Sequence, residues 1–164
     1  MNNGAYRFAT REYVPAILGF ILELAEYENM TDDVVATKEL LCEWLFDKKS
    51  AEVIIALDNG KPIGYALFFH SFSTFLGRAG IYLEDLYLTP EYRGRGYGKG
   101  LLQAVANIAV ERKCGRLEWS CLDWNKPSID FYLSVGAEPM NGWTMYRLSG
   151  DGLLNFSSDG KKCI

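Results

Sequence analysis

Histidine is almost missing from this chain of 164 residues, and the single one, His70, has no second imidazole with which to share a metal. The four cysteines, Cys42, Cys114, Cys121 and Cys163, form no Cys-x-x-Cys pair and no dense framework, which argues against the common zinc and redox patterns and leaves free thiols as the expectation. A basic excess is missing as well. With 17 Lys and Arg against 21 Asp and Glu, the net charge is −4, so no nucleic-acid partner is expected and a small molecule or a cation fits better. No apolar run approaches the roughly 20 residues that cross a bilayer, and no secretory pattern opens the chain, so the expectation is a soluble cytoplasmic protein with no membrane partner. Repeats and low-complexity blocks do not occur. At 49% hydrophobic residues, the length suits one domain, residues 1–164, and falls short of two ordinary ones.

Glycine, by contrast, is concentrated. In "EYRGRGYGKG", residues 91–100, Gly94, Gly96, Gly98 and Gly100 alternate with cationic and aromatic residues. Bare backbone costs conformational entropy; what it offers in return is close approach to a ligand and access to positive φ. The stretch before it, "IYLEDLYL" at 81–88, reads as a strand, and the stretch after it carries Leu101, Leu102, Val105, Ile108 and Ala109 at helical spacing. A helix that opens in glycines presents unpartnered first-turn amides at the positive end of its aligned peptide dipoles, an anion site most often used for phosphate. A Walker loop does not fit, because Lys99 is followed by Gly100 where Ser or Thr is needed. The dinucleotide fingerprint does not fit either, because Lys99 or Leu101 stands where its last glycine belongs. Arg-x-x-Gly-x-Gly remains, met by Arg93, Gly96 and Gly98. Its bland alternative is a basic flexible linker, which seldom runs straight from a strand into an amphipathic helix.

The rest of the chain places this loop in an α/β fold with a mixed sheet. "AYRFA" at 5–9 predicts a short strand. Thr10 is a candidate cap for a helix over 11–28, with Pro15 in its first turns. Thr37 is a candidate cap for a second helix over 38–48, with Leu40, Leu41, Trp44 and Leu45 on one face. "AEVIIAL" at 51–57 and "PIGYALFFHSF" at 62–72 flank Asp58-Asn59-Gly60-Lys61, a hairpin signal. After the glycine-opened helix come a strand over 116–122, a helix over 127–135 and a last strand, "WTMYRL", at 143–148. The Gly- and Ser-rich tail from Ser149 is expected to be loosely ordered.

Three blocks carry the reading beyond the loop: "ELAEYENM" at 23–30, "YLEDLYLTPEYRGRGYG" at 82–98 and "LDWNKPSIDFYLSVGA" at 122–137. In this order, over nearly the whole chain, they resemble the GNAT N-acetyltransferases, whose diphosphate motif is Arg-x-x-Gly-x-Gly, and within them the spermidine/spermine and thialysine branch. The resemblance implies the GNAT fold: a mixed, mostly antiparallel sheet with helices on both faces, splayed between its fourth and fifth strands to admit the pantetheine arm of acetyl-CoA. It implies no metal, a small-molecule amine as acceptor, and a homodimer. By the same resemblance the main chain of Leu86, Tyr87 and Leu88 pairs with the pantetheine. The loop residues Arg93, Gly94, Arg95, Gly96, Tyr97, Gly98 and Lys99 hold the diphosphate, and Asn125 and Ser128 complete the coenzyme contacts. Arg93 and Arg95 have a plainer alternative as solvated loop arginines.

Acyl transfer from a thioester to an amine meets two obstacles: the amine is protonated at neutral pH, with a pKa of about 10.4 when lysine-like, and the departing thiolate needs a proton. Glu84 and Asp85 sit together inside an apolar strand, where a carboxylate is costly to bury unless it has a partner. Alternation sends them to opposite sides of the sheet, so at most one faces the cleft unless the strand bulges. The plain alternative for Glu84 is a salt bridge to Arg78 or Arg93. The resemblance makes Glu84 the group that assists amine deprotonation through water and puts Asp85 beside it in the substrate pocket. It makes Tyr132 the acid that protonates the leaving sulfur, although by pattern alone a tyrosine there simply packs with its hydroxyl at the surface. Tyr27 and Glu28, in the acidic run that closes the first long helix, match the pair that contacts the polyamine. Two departures stand out. Asn141-Gly142-Trp143 replaces the acidic residue common before that tryptophan, which removes one anchor for a distal ammonium, and the stretch before "AEVIIAL" is shorter than in the animal enzymes. "LDWN" is closer to the thialysine type. The competing readings are a protein-directed amine acetyltransferase and a non-catalytic acetyl-CoA-binding regulatory module.

Overall fold

The computed structural model describes residues 4–158, which form two compact units, 4–120 and 121–158. In the first unit five strands stand in the order β1 (Gly4–Phe8), β2 (Glu52–Asp58), β3 (Lys61–Ser73), β4 (Arg78–Leu88) and β5 (Leu117–Trp119). The first three pairings are antiparallel and the last, β4 with β5, is parallel, which is the mixed sheet expected from sequence. Helices α1 (Val14–Tyr27) and α2 (Lys38–Cys42) precede β2, and α3 (Tyr97–Glu111) joins β4 to β5.

Strand alternation sorts the core into two faces. On one, Val53, Ile55, Leu57, Tyr65 and Tyr87 pack with Ile17 and Phe20 of α1 and with Leu45. On the other, Ile54, Ala56, Ala66, Phe68, Ile81 and Leu83 are buried where α3 brings Leu101 and Val105. Full burial of one such side chain is worth about 1.5–3 kcal/mol, so Leu101 and Val105 together fix the rotation of α3 and with it the direction of its opening amides. The β2–β3 hairpin turns at Asn59 and Gly60, whose φ of 48° and 82° are the two positive angles that a two-residue type I′ turn requires.

The decisive irregularity is in β4. Leu67 pairs with Asp85 while Phe68 pairs with Leu83, so Glu84 is the extra residue of a bulge. Pairing to β5 covers Ile81, Tyr82 and Leu83 and goes no further, whereas β4 runs on to Leu88. From the bulge onward that edge of β4 therefore has no β5 ladder. This is the splay between the fourth and fifth strands.

Four expectations need correction. Thr10 makes no side-chain cap; a 3-10 turn over Arg11–Tyr13 intervenes and α1 starts at Val14. Thr37 does cap, its hydroxyl accepting from the Leu40 amide at 3.2 Å, but α2 passes into a π turn over Glu43–Asp47. The extra residue in that turn re-phases the helix, so Leu45 is buried while Leu40 and Trp44 stay 42% and 48% exposed, Trp44 with the Lys48 ammonium 3.8 Å from its ring centre. In the second unit, residues 143–148 form no strand, and Trp143, Met145 and Tyr146 are exposed. Their alternating pattern alone does not make a strand, which exists only when it is paired. The tail beyond Ser149 is helical over Gly150–Ser158, because Leu153, Leu154 and Phe156 give it a helical rather than a coil pattern. Cys163 and the rest of the tail lie outside the described residues.

Candidate active site

The glycine loop begins where β4 ends. A 3-10 turn over Pro90–Tyr92 leads into Gly94 and Gly96, with φ of 72° and 87°, left-handed angles that a side chain would strain. Gly96 is the N-cap of α3 and has no side chain with which to cap it. The amides of the first turn, through Lys99, thus have no partner inside the helix and lie at its positive end. A Cβ placed on Gly94 or Gly98 would meet nothing within 4 Å, so the approach to this backbone is open. Gly94, Arg95, Gly96 and Lys99 are exposed. Bare amides, a helix dipole and two nearby cations are a donor set suited to a diphosphate.

Two loop side chains bond back to the rest of the unit. The Tyr97 hydroxyl donates to Asp58 Oδ1 at 2.8 Å and its carbonyl accepts from the Tyr6 hydroxyl at 3.3 Å, so its side chain fastens the helix start to the hairpin and its main chain is what it offers a ligand. Arg93 turns back on the strand: its Nε donates to the Leu88 carbonyl at 2.9 Å, and its guanidinium lies 5.3 Å from the ring of Tyr27 and 5.5 Å from that of Tyr87. The residue is nonetheless exposed. It ties the loop to α1. Arg95, by contrast, lies 5.6 Å from the Tyr92 ring. Leu86 is half-buried, and Tyr87 and Leu88 are buried, so their side chains belong to the core; one main-chain edge pairs with β3 and the other has no β5 partner.

Beside this edge the acids gather. Glu84 is exposed on the bulge, which relaxes the alternation that would otherwise separate it from Asp85. The Tyr65 hydroxyl donates to Asp85 Oδ2 at 2.7 Å, and burial raises the Asp85 carboxyl above the ordinary range, a rise this hydrogen bond opposes. Glu28, the C-cap of α1, is also raised, by burial first and by the charge of Asp85 second. Tyr27 ends α1 and is 37% exposed. The negative end of the α1 dipole, Glu28 and Asp85 therefore act in one direction and favour a cation. A neighbouring groove of about 710 Å³ is lined by Glu23, Glu26, Tyr27, Tyr87, Tyr92 and Arg93, among others. The Tyr87 hydroxyl donates to Glu23 at 2.7 Å and is pushed up to about 12 by burial, then by that carboxylate. Sequence reasoning missed Tyr65 and Glu23. Its one usable signal was a tyrosine among aliphatic strand residues, whose hydroxyl needs a partner when buried.

In the second unit Asn125 is buried and caps helix α4 (Lys126–Ser134), its Oδ1 accepting from the Ser128 amide at 3.4 Å. Tyr132 lies on α4, half-buried, with its ring 5.3 Å from that of Phe131. Its carbonyl accepts from Val135 and from Ala137, around Gly136 at φ 86°. Among the described residues no group of three or more His, Cys, Asp and Glu could hold a metal, and no helix is long and apolar enough to cross a membrane.

The chain matches a family model described as "Acetyltransferase (GNAT) family" over residues 18–137. It is 38% identical over 151 residues to a thialysine N-epsilon-acetyltransferase of Bos taurus, covering 84% of this chain and 87% of that one. It is 44% identical over 193 aligned positions to the L-ornithine N5-acetyltransferase NATA1 of Arabidopsis thaliana, covering 90% and 85%. Among solved structures, an integron cassette protein from the mobile metagenome of V. cholerae superimposes with a TM-score of 0.80 at 26% identity over 96% of this chain and 98% of that one.

Proposed function

This chain belongs to the GNAT acetyltransferase family and is an acyltransferase, and from that premise we propose that it moves an acetyl group from acetyl-CoA to the primary amine of a small cation, a diamine, a polyamine or a thialysine-like amino acid. The observation that carries the proposal is the juxtaposition, within one compact unit, of an amide-lined helix start and the acidic, aromatic end of α1 with Asp85. That the acceptors named for the relatives are thialysine and ornithine, both small amines, supports it. One catalytic domain is part of the proposal, because the family match runs unbroken from 18 to 137. So are a homodimer and a cytoplasmic location.

The amides of the glycine loop, with Arg93, Arg95 and Lys99, would hold the diphosphate, and the edge of Leu86 to Leu88 that lacks a β5 partner would pair with the pantetheine. Asn125 and Ser128 would add contacts along the arm. The coenzyme supplies an activated acetyl thioester. Tyr27, Glu28 and Asp85 draw in the ammonium, and Glu84, exposed on its bulge, receives the ammonium proton through water. The freed nitrogen attacks the carbonyl carbon, the C–N bond forms and the C–S bond breaks; by the family resemblance Tyr132 would give the sulfur its proton and be reprotonated, through water, by the second proton that the nitrogen sheds as the amide forms. No residue is acylated, so Cys42, Cys114 and Cys121 stand outside the chemistry.

Incubation with acetyl-CoA and a panel of thialysine, ornithine, putrescine, spermidine and a lysine-rich protein, read by mass spectrometry, tests the reading. One acetyl group on a small amine is the expected product. Modification of the protein alone would overturn it.

A further inference from the structure

We propose that Tyr65 is a positioning residue for amine capture: its buried hydroxyl fixes the Asp85 carboxylate in one orientation and holds it charged to meet the ammonium. The inference rests on the amine acetyltransferase reading above and deepens it. Tyr65 is 0% exposed, and its ring lies 5.8 Å from that of Phe20 at an interplanar angle of 13°. A phenylalanine would make the same stack without bringing a polar group into the core, so packing gives no reason for the hydroxyl. Geometry gives one. Register sets Tyr65 opposite Tyr87 and diagonal to Asp85 on the same face, and the bulge at Glu84 shifts the strand so that Asp85 falls opposite Leu67. The resulting bond, 2.7 Å to Oδ2, uses one of about four acceptor positions on the carboxylate and leaves the others for a ligand.

The burial of the pair makes such a donor necessary. Besides Asp85, the charges that act on Tyr65 are Glu28 at the end of α1 and Glu84 on β4, both acids, and Asp85 in turn acts on Glu28. Burial favours the neutral acid, and a neutral Asp85 would lose its attraction for a cation. Burial and the same acids raise the Tyr65 phenol well above its ordinary range, so it remains a donor across the working pH.

Tyr65→Phe in the full chain tests this. The acidic limb of the pH profile of kcat/KM for the amine should move up by about half to one pH unit, and the KM for the amine at neutral pH should rise about tenfold, with the KM for acetyl-CoA unchanged. The melting temperature reports folding. In an Asp85→Asn background the same substitution should add little, because the two act as one unit. A carbon-13 carboxyl NMR titration of Asp85 reads the effect without turnover: its midpoint should rise in Tyr65→Phe. An unmoved midpoint, or a full effect in the Asp85→Asn background, overturns the inference while leaving the acetyltransferase reading intact. Wild-type protein that acetylates no amine overturns that reading instead, and this one with it.

Discussion

Two glycines carrying the same substitution should respond with opposite signs. Gly64 on β3 lies against β4 so closely that a Cβ would stand 2.4 Å from the Tyr87 carbonyl oxygen and 3.0 Å from the Leu88 Cα, main-chain atoms that no rotamer change can withdraw. For Gly64→Ala the β4 backbone must recede by at least about 0.6 Å to reach the closest contact a Cβ tolerates. Overpacking of this kind costs about 1–3 kcal/mol, which in a chain of this size lowers the melting temperature by about 2–12 °C. The displaced atoms lie on the β3 side of the strand whose other edge is assigned to the pantetheine, so as the strand shifts the KM for acetyl-CoA should rise and kcat should fall, by up to about a hundredfold if the thioester is misplaced by an ångström. Gly19 is the control. It lies inside α1 with nothing within 4 Å of its Cβ position, so Gly19→Ala should gain about 0.5–1 kcal/mol and melt about 1–4 °C higher with kinetics unchanged. Differential scanning fluorimetry and steady-state kinetics on the pair decide the matter. A Gly64→Ala protein with wild-type melting and wild-type coenzyme kinetics would refute the reasoning.

Three more outcomes are expected. Tyr132→Phe should lower kcat by about 10²–10⁴ with coenzyme affinity retained by calorimetry; unchanged turnover would remove Tyr132 as the acid. Arg93→Met deletes the bond to the Leu88 carbonyl and the contacts over Tyr27 and Tyr87, together about 1–2 kcal/mol, so affinity for coenzyme and for amine should each fall about 5–30-fold, and a loss confined to the coenzyme would contradict the tie to α1. For Asp85 and Glu28 the folded pKa lies above the unfolded one, so their contribution favours the fold below the unfolded pKa and is lost as pH rises through the folded pKa. Asp85→Asn, which keeps an acceptor for Tyr65, should therefore melt higher than wild type at neutral pH, lose that advantage in acid, and acetylate poorly; a lower melting temperature at neutral pH would contradict the sign.

Much of this was legible in the sequence because local chemistry decided it. The Asn59-Gly60 turn, the Thr37 cap and the burial of Leu101 and Val105 each follow from residues within a few positions. What escaped depended on partners distant in the chain. The bulge at Glu84 is a property of how β3 and β4 register, and a π turn adds a residue without a distinctive sequence pattern. Residues 143–148 alternate like a strand, yet no ladder partner forms one. The candidate site divides in the same way. Glu84, Asp85 and the glycines were identified from spacing and resemblance, whereas Tyr65 on Asp85, Glu23 on Tyr87 and Arg93 on Leu88 join residues 20, 64 and 5 positions apart, through side chains whose directions only the folded sheet sets.

The account stands or falls on the main-chain amides at the start of α3. In a nitrogen-15 correlation spectrum of the full chain titrated with coenzyme A, the amides of Gly94, Arg95, Gly96, Tyr97 and Gly98 should show large, saturable shifts with a common dissociation constant. Saturable binding that leaves those amides in place, or no binding at all, would contradict it.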